Sequence, residues 1–247
     1  EEVQAVYRAY VAAGAQYVTA NTFGGNRPRL TEAGLADRLA ELNRLGIVLA
    51  RDAVGDRAWV GASIGPTGQL PEPYGPLSIA DLEAIYAEQI AAVAAAGADL
   101  ILIETQHAGE EAAAAIRMAK AHSNLPVVCG FAFNARGRTM MGLKAADAAR
   151  LAEEAGADVV GANCGDGPEA VRAALEAMRT ATALPLLAKS NAGIPQAGPD
   201  GQAVWDVTPA QLAEQARQFV ALGARVVGGC CGTNPEYIAA IAAAVRV

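Results

Sequence analysis

Apolar and polar positions along this chain fall into a recurring unit. An alanine-rich stretch ends at Gly-Ala, and an apolar run follows. The unit occurs at Gly14-Ala15 before Tyr17-Val18 and at Gly97-Ala98 before Leu100–Ile103. It returns at Gly156-Ala157 before Val159-Val160 and at Gly223-Ala224 before Val226-Val227. Glycine takes the left-handed conformation that stops a helix. A short continuous apolar run is how a parallel strand buried on both faces reads. Three more such runs, Ala58–Ile64, Pro126–Phe133 and Leu184–Lys189, predict further strands. The intervening stretches, roughly 1–13, 31–54, 78–96, 109–122, 144–155, 168–181, 208–222 and 235–246, predict helices. Thr208-Pro209-Ala210-Gln211 is a capping box with proline at the first helical position. Gly167-Pro168 and Asn234-Pro235 look like similar starts.

Seven predicted strands alternate with eight predicted helices, and the chain opens on a helix. Such alternation favours the α/β class, a parallel sheet with helices outside. A (β/α)8 TIM barrel needs eight strands and about 250 residues. The expectation is therefore one domain over 1–247, an N-terminally incomplete barrel whose first strand lies upstream of Glu1. A doubly wound open sheet is the rival, because periodicity does not prove closure. The loops that follow strands, Thr22–Leu30, Gly65–Leu77 and Ser190–Val207, are long and rich in Gly, Pro and Asn. Barrel enzymes hold their chemistry on that face.

Charge and composition narrow the function classes. A net charge of −7 with no run of Lys or Arg argues against nucleic acid as partner. Apolar residues are 53% and charged residues 18%, which disfavours disorder. No apolar run approaches the ~18 residues of a membrane span. The four cysteines do not make a secreted disulfide scaffold, so a reducing cytoplasm is expected. The chain begins with Glu1 and shows no signal peptide, although a leader removed with the true N-terminus would leave no trace.

Three of those cysteines end strands. Cys164 closes Val159–Cys164, and Cys230-Cys231 follow Val226-Val227-Gly228-Gly229. Adjacent cysteines rarely bridge each other, because the ring is strained. A third thiol at another strand end suggests zinc, with three protein ligands and a fourth position for substrate. Both adjacent thiols can turn to one ion only where the backbone leaves strand geometry, and Gly228, Gly229 and Gly232 give that freedom. Small buried thiols are the plainer alternative. A phosphate-binding loop at 228–233 before a helix is another, and would give the cysteines no role. Cys129 sits mid-strand and reads as core.

Glu104 ends Leu100–Glu104 and would enter the barrel mouth, to bind a substrate ammonium or act as a base. Asn21, Thr22, Ser63, Asn163 and Asn191 also end strands and could hydrogen-bond a polar substrate, or serve only as turn residues. His107 is expected near the mouth and His122 on the surface. Trp59, Tyr74 and Trp205 read as packing residues or loop anchors.

Gly161-Ala162-Asn163-Cys164-Gly165 together with Gly228-Gly229-Cys230-Cys231-Gly232-Thr233 resembles the zinc signature of homocysteine S-methyltransferases. Asn21–Asn26, Ile103-Glu104-Thr105 and Ala188–Gly193 match the same family, in order. The resemblance has the flavour of the homocysteine-binding barrel of cobalamin-dependent methionine synthase and its stand-alone relatives. It implies a TIM barrel, one Zn2+ held by Cys164, Cys230 and Cys231, and methyl transfer to homocysteine, giving methionine. It further implies that Glu104 contacts the amino-acid part of homocysteine and that Asn163 helps shape the site. Asn21 and Ser63 join them as expected substrate-binding residues.

The donor would be methylcobalamin or a methylated corrinoid protein, an onium compound or a betaine. No corrinoid or folate domain is visible, so a corrinoid donor would come from a partner. Family members usually open on a strand with an Asp-Gly segment, which has no match here, and Ser190 stands where proline is common. An inactive zinc- or homocysteine-binding fragment is the corresponding alternative. Open strand edges would also invite association into an oligomer.

Overall fold

The computed structural model describes residues 1–198 and 201–245. Helix α1 (Glu2–Ala12) leads into strand β1 (Tyr17–Thr19). Then come α2 (Arg27–Glu32), α3 (Leu39–Val54), β2 (Trp59–Ile64), α4 (Ile79–Ala95), β3 (Leu100–Gln106) and α5 (Gly109–His122). Next are β4 (Val127–Phe131), α6 (Ala145–Ala155), β5 (Val159–Cys164), α7 (Pro168–Arg179) and β6 (Leu186–Ser190). The chain finishes with β7 (Gln196–Ala197), β8 (Ala203–Val204), α8 (Pro209–Ala221), β9 (Ala224–Gly229) and α9 (Pro235–Val245). The expected last helix reached 246, which lies outside the described residues, as do 199 and 200 of the expected loop Ser190–Val207.

Among the described residues, seven strands form one curled parallel sheet in the order β1-β2-β3-β4-β5-β6-β9. This is the (β/α)8 type of fold with seven strands, and β1 and β9 are its two edges. Helix α1 still reaches the far side, where Tyr10 Oη donates to Thr233 O at 3.2 Å.

Each strand presents two faces. Ile101, Ile103, Val127, Cys129, Val160 and Ala188 pack outward into the main core with the helices. Leu102, Val128 and Leu187 make a separate inner cluster, with Leu100, Val159 and Val226 against it. Two residues further along the same strands, the inner face turns polar with Glu104 and Lys189, as the period of two requires. Apolar filling therefore stops one layer below the carboxyl ends of the strands.

Two expectations are corrected. The predicted helix 31–54 is broken: α2 starts earlier, because the Asn26 side chain accepts from Arg29 N–H and Pro28 suits a first turn. Gly34, at φ 69°, separates it from α3, so the expected loop Thr22–Leu30 is partly helical. The loop after β6 carries the antiparallel ribbon β7–β8, which has no apolar signal. The Thr208 capping box is present, with Gln211 returning the bond.

Candidate metal centre and its cavity

The backbone leaves strand geometry where β5 ends. Cys164 has φ 60°, a left-handed conformation that few non-glycine residues adopt. Gly165 follows at φ 69°, and a Cβ there would stand 2.1 Å from Phe133 O. The turn carries the Cys164 side chain across β6 towards the end of β9. Cys230 and Cys231 are held there by main-chain bonds. Cys230 N–H donates to Ser190 O at 2.8 Å, and Cys231 N–H to Asn191 Oδ1 at 3.1 Å. Asn191 Nδ2 donates to Gly165 O at 2.9 Å, so one side chain ties both cysteine loops together. Trp205 packs over Gly232, which has φ 78° and no room for a Cβ.

These turns bring the three sulfur atoms within 4.8 Å of one another. Cys164 Sγ and Cys231 Sγ are 3.9 Å apart. Hydrogen bonds from Cys230 and Cys231 hold the Cys164 thiol well below its ordinary value, against the effect of burial. The bond to Cys164 pushes both partners up. Three cysteine sulfurs brought together in this way are a donor set for a soft or borderline cation. Cys129 is fully buried in the core, and burial pushes its thiol up.

The three cysteines line one wall of a cavity of about 610 Å3. Val3, Val6 and Tyr7 of α1 and Phe23 supply apolar walls, while Thr19, Asn21, Ser63, Glu104 and Thr105 supply polar groups. Asn21 is exposed at the rim, and its N–H donates to Tyr7 Oη at 3.0 Å. Ser63 and Glu104 are buried below it.

Glu104 is no free carboxylate at the mouth. Ser63 Oγ donates to its Oε1 at 2.5 Å, and Lys189 Nζ donates to its Oε2 at 2.8 Å. Burial alone would push the Lys189 ammonium down; Glu104 and Tyr17 outweigh it, and Lys189 ends above its ordinary value. Burial pushes the Tyr17 phenol up, against the pull of Lys189. Gly228 of β9 lies beside both side chains: a Cβ there would make ordinary contact with Lys189 Cγ at 3.5 Å and Tyr17 Oη at 3.7 Å.

Asn163 is fully buried and reaches the cavity only through Thr105. Its Oδ1 accepts from Thr105 N–H and its Nδ2 donates to Thr105 Oγ1, both at 2.8 Å. Thr105 needs that support: φ is 60° at a β-branched residue, where the pairing of β3 with β4 slips.

Other sequence expectations fall away from the site. His107 does not line the cavity, and its buried Nδ1 has no partner among the described residues. His122 is exposed, as expected. Trp59 and Tyr74 are exposed at 68% and 73%, so neither is a packing residue. Lys189, Tyr17, Tyr7 and Thr105 were not among the expected site residues. The signal available for Lys189 was a lysine inside an otherwise apolar strand run.

The whole of residues 1–245 matches the family model described as Homocysteine S-methyltransferase. The chain is 33% identical to a methionine synthase of Mycobacterium tuberculosis, over 98% of this chain and 21% of that protein. It is 31% identical to the methionine synthase of Mycobacterium leprae, with the same coverage. The chain thus spans about a fifth of the length of these relatives. The metallated form of the Escherichia coli homocysteine methyltransferase MmuM superposes with a TM-score of 0.82 at 26% identity, over 98% of this chain and 83% of that one.

Proposed function

The chain belongs to the homocysteine S-methyltransferase family, and on that premise we propose that it transfers a methyl group to the thiol of L-homocysteine, forming methionine, with one zinc ion held by Cys164, Cys230 and Cys231. The observation that carries this reading is the cluster of three sulfur atoms within 4.8 Å on the wall of a cavity. Thiolates about 2.3 Å from a tetrahedral zinc stand about 3.8 Å apart. The 3.9 Å between Cys164 Sγ and Cys231 Sγ fits that donor set. When bound, zinc would supply Lewis-acid chemistry that lowers the pKa of a substrate thiol and makes it nucleophilic at neutral pH.

The remaining work belongs to the chain's own residues. A carboxylate offers about four lone-pair sites, and Ser63 and Lys189 each take one on Glu104. The rest can accept an α-ammonium. Asn163 fixes Thr105 on the cavity wall beside Glu104. Val3, Val6 and Phe23 give the walls an apolar lining that favours sulfur and methyl over water.

The phosphate-loop reading fares worse. The N–H groups of Cys230, Cys231 and Thr233 are already bonded to Ser190 O, Asn191 Oδ1 and Cys230 O. An anion there would find those donors taken.

The test is zinc content with sulfur-edge spectroscopy, on the chain and on Cys230→Ser. One zinc per chain, lost in the variant, with sulfur ligation changing when homocysteine is added, supports the reading. Full methyl transfer by a metal-free, folded, reduced sample overturns it. Assays with methylcobalamin, S-methylmethionine and betaine in parallel identify the donor. Chelation is expected to lower the melting temperature, because a ligand of the native state at a hundredfold excess over Kd stabilises by about 2.7 kcal/mol.

A further inference from the structure

Glu104 is the only carboxylate lining the cavity among the described residues. It is 6% exposed and lies on the inner face of β3, just above the apolar cluster of Leu102, Val128 and Leu187. A buried carboxylate is costly unless a counter-charge and hydrogen-bond donors meet it. The counter-charge comes from Lys189, 7% exposed on β6, two residues beyond Leu187 on the same inner face. Its Nζ donates to Glu104 Oε2 at 2.8 Å, Ser63 holds Oε1 from β2, and Lys189 itself does not reach the cavity wall. Tyr17, Glu104 and Cys230 are the titratable groups that act on it.

We propose that Lys189 is a positioning residue which, with Ser63, clamps Glu104 as an oriented carboxylate and so makes the cavity selective for thiols that carry an α-ammonium. The inference rests on the methyl-transfer reading above. Lys189 acts through Glu104 alone, and its effect appears in selectivity rather than in thiol binding as such.

The test is a double-mutant cycle read by calorimetry. Zinc-loaded wild type, Lys189→Met, Glu104→Gln and the double variant are each titrated with homocysteine and with 4-sulfanylbutanoate, the same thiol acid without the amino group. Wild type is expected to prefer homocysteine by about ten- to hundredfold, the range of one charged hydrogen bond. Lys189→Met is expected to bring that ratio near unity while affinity for 4-sulfanylbutanoate holds. In the Glu104→Gln background, Lys189→Met is expected to change the ratio no further.

Wild-type selectivity retained in Lys189→Met overturns the inference. So does an equal loss of affinity for both thiols, the mark of a purely structural role. If Lys189→Met does not fold, the comparison of Glu104→Gln with the double variant decides, because the double variant replaces both buried charges by neutral groups and leaves neither unpaired. A further fall in selectivity there overturns the inference. Wild-type protein that binds neither thiol overturns the methyl-transfer reading and takes this inference with it.

Discussion

Thr105 shows what a single residue contributes. A β-branched residue at φ 60° is strained, and two bonds from Asn163 hold it in place. Asn163→Ala leaves the Thr105 N–H without its acceptor. The expected cost is about 1–3 kcal/mol in urea unfolding. An unchanged midpoint would show that the strain is borne elsewhere. His107 gives a second test. Burial lowers its folded-state value below 6.5, so above that value both states hold a neutral ring and stability is full. As pH falls through about 6.5 the unfolded chain takes the proton first, and stability declines until the folded value is passed. His107→Asn is expected to flatten that part of the pH–stability curve. The cysteines were legible in the sequence because residue type and strand-end position coincided. Lys189 and Tyr17 were not, because which way a strand residue faces depends on its register with its neighbours. The backbone turn at Cys164 has no signature at all, since cysteine seldom takes that conformation.

Among the elements, the most regular were the easiest to read. Strands β2 to β6 and helices α4 to α9 fall where the apolar pattern put them, to within a few residues. The pattern failed where local chemistry overrode it. Asn26 and Gly34 cut one expected helix in two, and the β7–β8 ribbon is held by pairing rather than by apolar burial. The α8 capping box is written in Thr208 and Gln211, and their reciprocal bonds are present. Thr208→Ala is expected to cost about 1 kcal/mol, visible as a lower denaturation midpoint. Trp205 and Val207, just before α8, pack beside Leu212, Tyr237 and Ile241, so the variant is also expected to loosen the cysteine turn at Gly232. Identical thiol reactivity towards a disulfide reagent in both proteins would count against that coupling.

At the scale of the whole molecule, every strand of the large sheet pairs with the next sheet strand along the chain. Such a sheet can lose its ends without losing its middle. Amide exchange is expected to be fastest in β1 and β9 and slowest in β3, β4 and β5, and uniform protection across the sheet would contradict this. The pairing pattern and the seven-strand, incomplete barrel were legible from the repeat and the strand count, but closure itself was not, because periodicity does not distinguish a curled sheet from a doubly wound one. Cys164 stands at the end of interior strand β5, whereas Cys230 and Cys231 stand at the end of edge strand β9. A metal held by all three would staple the loosest strand to a firm one across β6. The lifetime of the bound ion would then be a clock for fraying: each opening of β9 carries away two sulfur ligands at once and leaves only Cys164 behind. Mild denaturant, far below the unfolding transition, should therefore speed metal release in step with amide exchange in β9.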